Sequence, residues 1–275
     1  MAVRPRRYRK GRLLVWILTT IFHFDWGNTM RIFIDIETCP TTDPAVIADI
    51  RAGINPPANY SKPDSIAQWR ETKGEQAALE AIGKTALSPE DGSIIAIGVG
   101  LDDDQDPVVF VRDPSTETDA YVILDALTYV NDAIQEATTY SSTDPGKPVF
   151  TPTPYWCGHN ITGFDLPFIW KRLVINEINP DFPLPCPDEI RHGKTCFDIM
   201  QAWAGYRGMI GLSRLCRVLG LPDPKQNEQG ITGANVWEFW RRGDMEVVKA
   251  YCAADVIAAR QVFHRIDGIG RRNAV

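Results

Sequence analysis

The stretch Arg31-Ile-Phe-Ile-Asp-Ile-Glu-Thr38 decides how the rest of the chain is read. Its apolar run from Ile32 to Ile36 is short and rich in β-branched residues, which predicts a strand buried on both faces rather than a helix. The strand period of two then puts Asp35 and Glu37 on one face. Two carboxylates side by side in an apolar strand repel each other, and burial adds to the cost of ionising either. The usual compensation is a hard divalent cation, which takes oxygen ligands. Taken alone, the stretch is equally consistent with an edge strand carrying two solvated acids.

The chain has 275 residues, 44% of them hydrophobic, enough to bury a sizeable core in one domain with an appendage. A formal net charge of −6 argues against a basic protein that coats DNA. It does not exclude an enzyme acting on nucleic acid, because an acidic catalytic centre would itself supply several of those charges. The cysteines Cys39, Cys157, Cys186, Cys196, Cys216 and Cys252 form no C-x-x-C pair. They read as reduced, mostly buried thiols of a cytoplasmic protein, with neither a zinc site nor a disulfide framework.

Residues 1–29 differ in character from the remainder of the chain. A basic block from Arg4 to Arg12 precedes an apolar segment from Leu13 to Phe24. The order is that of a secretory signal, but no small-x-small cleavage site comes after it and the apolar run is short for a membrane span. Met30 stands immediately before the strand and is the expected start of the protein. The expected organisation is therefore an extension at 1–29 outside the fold, a domain at 30–268 and a short tail at 269–275, with no membrane association.

Beyond Thr38, the turn-rich Cys39-Pro-Thr-Thr-Asp-Pro44 opens a helical insertion of about 41–90, expected over one end of a sheet. Strands are predicted at 93–101 and 107–112. The acidic turn between them lacks the pattern of a calcium loop and reads as a solvated hairpin. A helix is predicted over 116–137, with Tyr121, Leu124, Leu127, Val130 and Ile134 at core spacing. Next come a strand at 155–158, a helix at 164–175 and a short strand at 195–198. Helices at 212–219, 236–242 and 244–266 complete an α/β pattern, a mixed sheet with helices on its faces.

Two further stretches carry acids in unusual company. In Gly158-His-Asn-Ile-Thr-Gly-Phe-Asp-Leu-Pro-Phe168, Asn160 stands at a strand end and Asp165 at a helix start. Asp165 suits a metal there, or simply the helix dipole, and Pro167 in the first turn fits the second reading equally well. In Lys249-Ala-Tyr-Cys-Ala-Ala-Asp-Val256, Tyr251 and Asp255 share a helix face. Ala250, Ala253 and Ala254 leave room beside them for a backbone or a ligand; a salt-bridged helix acid is the plainer alternative.

In this order, Asp-x-Glu in a strand, Asn-x-x-x-Phe-Asp at a strand–helix junction and Tyr-x-x-x-Asp on a late helix resemble the DEDD exonucleases of the ribonuclease H-like superfamily. Tyr251 points to the DEDDy branch, since the histidine branch would want His at Ala250. The sequence at 158–169, at Gly211-Leu-Ser-Arg-Leu-Cys-Arg-Val-Leu-Gly-Leu221 and at 251–256 is similar to predicted 3′–5′ exonucleases related to the proofreading domain of family B DNA polymerases. The resemblance covers roughly 30–266, leaves out the segment before Met30 and is not carried by 41–89.

The resemblance implies a ribonuclease H-like mixed five-stranded sheet flanked by helices on both faces. It also implies a 3′–5′ exonuclease that releases nucleoside 5′-monophosphates from DNA 3′ ends, single-stranded ones above all. Asp35, Glu37, Asp165 and Asp255 would hold two Mg²⁺ or Mn²⁺ ions about 3.5–4 Å apart. By that resemblance Asp35 bridges both ions, Glu37 and Asp255 complete one site, and Asp165 holds the other mainly through water. Tyr251 or Glu37 orients the attacking water; an unshifted phenol titrates near 10, so Tyr251 is not cast as the base. Main-chain atoms at Ile36 and Thr38 would meet the terminal nucleotide, as would Asn160 and Phe164, although core packing suits Phe164 nearly as well. Lys171, Arg172, Arg191, Lys194, Arg241 and Arg242 are candidate phosphate contacts. Lys225 lies in a loop that could reach the mouth of the site, and His159 and His192 are expected to be structural. An exoribonuclease with the same site and a catalytically silent nucleic-acid-binding module are the alternatives.

Overall fold

The computed structural model describes residues 29–101, 106–116, 118–180, 184–226 and 230–272. Most of the N-terminal extension, and nearly all of the acidic turn after Leu101, lie outside these residues. At the centre lies β1 (Thr29–Cys39). It runs antiparallel to β2 (Ser93–Leu101), which pairs antiparallel with β3 (Val108–Val111). On its other side β1 runs parallel to β6 (Thr153–Gly158), itself parallel to β7 (Cys196–Asp198). The order β3-β2-β1-β6-β7 is a mixed five-stranded sheet. A separate two-stranded ribbon, β4 (Thr139–Tyr140) and β5 (Pro148–Phe150), lies between the helix after β3 and β6 and was not anticipated.

Alternation along β1 sorts its side chains between two layers. Ile32, Ile34 and Ile36 join one core with α4 (Ala120–Ala137) and α5 (Asp165–Ile175). Phe33 faces the opposite layer, where α7 (Leu212–Leu219) and α9 (Met245–Arg272) pack; Phe263 meets Phe33 and Phe197 edge-on, with ring centroids 5.4 and 4.9 Å away. Further along the same face, Cys39 packs with Trp240 of α8 (Val236–Arg242) and with Tyr251 and Cys252. Asp35 and Glu37 lie between these two clusters, on the α9 side. In α4 the inward face is carried by Val122, Ile123, Ala126, Leu127, Val130 and Ile134. Tyr121, expected inside, is 66% exposed. The helix starts at Ala120, later than predicted, and its apolar stripe begins one residue further on.

The segment between β1 and β2, expected as a helical insertion, consists of α1 (Pro44–Gly53), α2 (Pro63–Trp69) and α3 (Glu75–Lys84), with single π and 3₁₀ turns at Arg70–Gly74 and Thr85–Leu87. Its far end is tied back to the C-terminal end of β1. The Thr38 hydroxyl donates to the Ala86 carbonyl at 2.7 Å, and Thr85 Oγ1 accepts from the Thr41 amide at 2.8 Å. The insertion therefore stands next to the strand end that carries Glu37. Among the described residues no helix is long and apolar enough to cross a membrane.

How close α9 comes to the sheet depends on β2. A Cβ at Gly98 would lie 2.8 Å from Val256 Cγ2 and 2.9 Å from Cys252 Sγ. Both contacts are too short for real atoms, so the bare backbone at Gly98 lets α9 lie against the sheet. Gly98→Ala is expected to lower the unfolding free energy by about 1–3 kcal/mol through overpacking, measured by urea denaturation. Adding Cys252→Ala should recover part of the loss; no recovery would mean that the close approach is not what Gly98 provides.

Candidate active site

Each part of the site arises from a local feature of the chain. β1 pairs with β6 only as far as Phe33 opposite Cys157. Beyond that point the chain leaves the sheet through Gly158-His159-Asn160, and Asn160 adopts a left-handed φ of 62°. The turn delivers Asp165 as the first residue of α5. There its Oδ1 accepts the Ile36 amide at 3.0 Å, in a buried bond. A carboxylate thus takes the place of the strand that β1 lacks there, and it does so between Asp35 and Glu37. α9 then lays Tyr251, Cys252 and Asp255 over the same strand face; the Cys252 thiol is 3.7 Å from the Asp35 carbonyl.

The acids are withdrawn from water: Glu37, Asp165 and Asp255 are 6%, 4% and 8% exposed, and Asp35 is half-buried. Burial, followed by the charges of Asp255, Glu37 and Asp165, raises the Asp35 carboxyl well above its ordinary range. Burial also raises Glu37, with Asp255 and then Asp165 adding to it. Asp165 is pushed up to about 7 by burial, although its own amide and that of Ile36 favour the charged form. Burial pushes Asp255 up to about 6. At Asp35, Glu37 and Asp255 the positive charge of Lys225 works the other way. The loop after α7 therefore does bring a cation within electrostatic reach of the acids.

Asp255 Oδ1 is buried without a hydrogen-bond partner among the described residues. An orphaned carboxylate oxygen facing other acids is costly unless a cation fills the gap. Asp35, Glu37 and Cys252 present possible ligand atoms within 4.8 Å of one another. Burial and then the charges of Asp35, Glu37 and Asp255 keep the Cys252 thiol protonated, so oxygen is the donor on offer. Such a donor set fits a hard divalent cation. Tyr251 is 4% exposed, and burial, Glu37, Asp255 and Asp35 all push its phenol upward, which leaves it a hydrogen-bond donor.

The expected substrate contacts fare unevenly. Asn160 is half-buried at the mouth of a groove, and Phe164 is half-buried with its ring 5.3 Å from that of Phe168, so it packs on the core. The Ile36 N–H and the Thr38 hydroxyl are already engaged. Arg172 is removed from the phosphate candidates: its Nε and Nη2 clamp the fully buried Asp119 at 2.9 and 3.0 Å, and Asp119 also accepts from the Ile94 amide and Asn176. Sequence cannot tell a helix-surface arginine from one reaching back to a buried acid. Lys171 pairs with Glu90 at 2.8 Å, while Arg241 and Arg242 stack over Trp237 and Phe239 at 4.7 and 4.4 Å.

One side chain that holds the turn beside these acids was missed. Asp198, at the end of β7, is fully buried and accepts from the Asn160 and Thr162 amides at 3.2 and 3.1 Å and from the Thr162 hydroxyl at 2.6 Å. It also caps α6 (Ile199–Ala204) through the Gln201 amide. Its backbone N–H donates to His192 Nδ1 at 3.0 Å, the structural role expected of that histidine. Asp198 thereby fixes the turn that carries Asp165. Its signal in the sequence, an acid closing a short apolar strand before a helix, is that of any N-cap.

The fold is of the ribonuclease H-like class. It matches a family B DNA polymerase from the hyperthermophilic archaeon Pyrobaculum calidifontis with a TM-score of 0.50 at 14% identity, over 86% of this chain. This chain spans only 24% of that polymerase chain. Residues 147–271, which include Asp165, Tyr251 and Asp255, match the model of a family described as predicted 3′–5′ exonucleases related to the exonuclease domain of PolB. The resemblance drawn from the three motifs is therefore found independently in the C-terminal part of the chain. Comparison with curated proteins finds no match.

The shifts dictate a pH dependence. Asp165 and Asp255 hold their protons to about 7 and about 6 in the folded chain, against an ordinary Asp value of about 3.9 when unfolded. Between these limits the folded state binds more protons, so these groups lose stabilising effect as pH rises. In chelator, the Tm should fall from about pH 5 to about pH 7.5, and less steeply in Asp255→Asn. Mg²⁺ or Mn²⁺ should raise the Tm of the unmodified protein chiefly at the upper end, and that of Asp255→Asn much less. A metal response independent of both pH and Asp255 contradicts the assignment.

Proposed function

We propose that residues 30–268 form a metal-dependent 3′–5′ exonuclease domain that hydrolyses phosphodiester bonds from the 3′ end of single-stranded DNA. The observation that carries this reading is the convergence of Asp35, Glu37, Asp165 and Asp255 from three separate elements around the C-terminal half of β1, with Asp255 Oδ1 left without a partner among the described residues. The family match over 147–271 supports the reaction class. A chain that only bound nucleic acid would gain nothing from burying mutually repelling carboxylates.

Two Mg²⁺ or Mn²⁺ ions held by these acids would activate water and stabilise the leaving 3′-oxygen. The remaining work belongs to the chain. Asp35, whose carboxyl is raised by the charges of all three other acids, would be the shared ligand. Tyr251, held protonated, donates to the attacking water and aligns it, with Glu37 accepting from that water. Lys225 supplies positive charge towards the phosphate that approaches the acids. Asn160 contacts the terminal nucleotides, while the partly exposed part of Phe164 offers a base an edge to pack on. Main-chain atoms at Ile36 and Thr38 remain proposed contacts for the terminal sugar, other than the Ile36 N–H, which Asp165 occupies.

The test is single-turnover degradation of 5′-labelled DNA and RNA strands with and without Mg²⁺ or Mn²⁺. DNA should shorten stepwise from its 3′ end only with metal, releasing 5′-monophosphates. Asp35→Ala should reduce the rate by at least about a thousandfold, equivalent to about 4 kcal/mol of transition-state stabilisation. Tyr251→Phe should reduce it by about ten- to a thousandfold, since positioning is lost but the acids remain. Asp35→Ala degrading DNA at the unmodified rate would sink the metal mechanism, and cleavage of RNA but not DNA would replace the substrate.

A further inference from the structure

An open groove of about 690 Å³ has none of Asp35, Glu37, Asp165 and Asp255 in its lining. Asn160 lines it, together with His159, Met200, Trp203, Met209 and Arg214. Among the described residues no acidic side chain lines it, in a chain whose formal net charge is −6. Large apolar side chains stand at or beside its rim in the open: Trp203 is 45% exposed, Tyr206 80% and Met209 86%. Nothing in the proposed hydrolysis uses them.

The rim is a built feature. α6 ends at Gly205, with φ 79°, and Arg207 holds a left-handed φ of 63°. The Gly208 amide donates to the Gly205 carbonyl at 3.0 Å, and a Cβ at Gly208 would collide with the Ala204 backbone. This tight loop holds Tyr206 outward with the Arg207 guanidinium 5.2 Å above its ring. On the groove side, Asp198 links α6 to the turn of Asn160, capping the one and accepting from the other. The rim and the residue proposed to meet the terminal nucleotide are thus fixed to the same buried carboxylate.

The geometry points to this groove as the track for the nucleotides immediately upstream of the 3′ end, with bases stacked on Trp203 and Met209 and a phosphate on Arg214. Three observations favour a nucleic-acid strand as the occupant. The groove is continuous with Asn160. Among its described lining residues the only formal charge, that of Arg214, is positive. Its lining combines an aromatic ring, Trp203, with an arginine, Arg214, the pairing that binds single strands without reading their sequence. The inference rests on the exonuclease reading for the direction in which the strand runs.

The experiment measures fluorescence anisotropy of labelled DNA strands of about three and about ten nucleotides, in chelator so that no hydrolysis intervenes. The unmodified protein should bind the longer strand more tightly. Trp203→Ala should weaken the longer strand about tenfold, as expected for the loss of one stacked base, and so remove most of the length advantage; Trp203→Phe should restore it. Arg214→Ala should lower the salt dependence of binding by nearly one phosphate contact. Equal losses on both strand lengths, or no loss, would overturn the proposal. So would a change in sedimentation mass with unchanged strand affinity, which would make the rim an interface between copies of the chain. Hydrolysis is measured separately with Mn²⁺. Length-dependent binding without hydrolysis sinks the exonuclease reading and leaves the groove, whereas hydrolysis without length-dependent binding does the reverse.

Discussion

The bond from the Ile36 amide to Asp165 joins the parts on which everything else depends. The sheet stops pairing β1 with β6 at Phe33, yet β1 continues into Asp35 and Glu37. A buried amide left open there would cost about 1–3 kcal/mol. Asp165 closes it, 129 residues further along the chain. One interaction thus completes the sheet edge, fixes the start of α5 and places a third carboxylate between the first two.

Opposing this is the mutual repulsion of the acids. The apolar layers bear that cost: Ile32, Ile34 and Ile36 are packed on one side and Phe33 on the other, all at 5% exposure or less. Fully burying such side chains contributes about 1.5–3 kcal/mol each. Gly98 lets α9 approach near enough to add Asp255 and Tyr251. Away from the site, Arg172 and Asp119 clamp α5 to β2 and to the start of α4. The rigid frame is what lets the carboxylates stay close while their proton affinities rise. The positive charge of Lys225 softens the repulsion without removing it.

Much of the sheet was legible because β-branched runs with turn residues at their ends have few alternatives. The helices at Leu212–Leu219 and Val236–Arg242 were legible for the same reason of period, each closed by a left-handed glycine, Gly220 and Gly243. Where expectation failed, the information was not local. Tyr121 fits the helical stripe in sequence, but the stripe's rotation is set by what α4 packs against. Arg172 looks like any surface arginine until Asp119 is brought under it. Asp198 looks like an N-cap, and its three bonds to the turn of Asn160 and Thr162 come from another element.

By itself the sequence determined that Asp35 and Glu37 share a strand face, that Asp165 opens a helix and that Tyr251 and Asp255 share one. These follow from periods of two and 3.6, which depend only on neighbouring backbone angles. Only the tertiary structure decided that the three pieces meet and that, among the described residues, Asp255 keeps an oxygen without a partner and a groove lined by Asn160 has no acidic lining. The physical reason is that burial and repulsion are properties of distance through space. No spacing along the chain records that the Ile36 amide would be left open or that Gly98 would let a helix close over it.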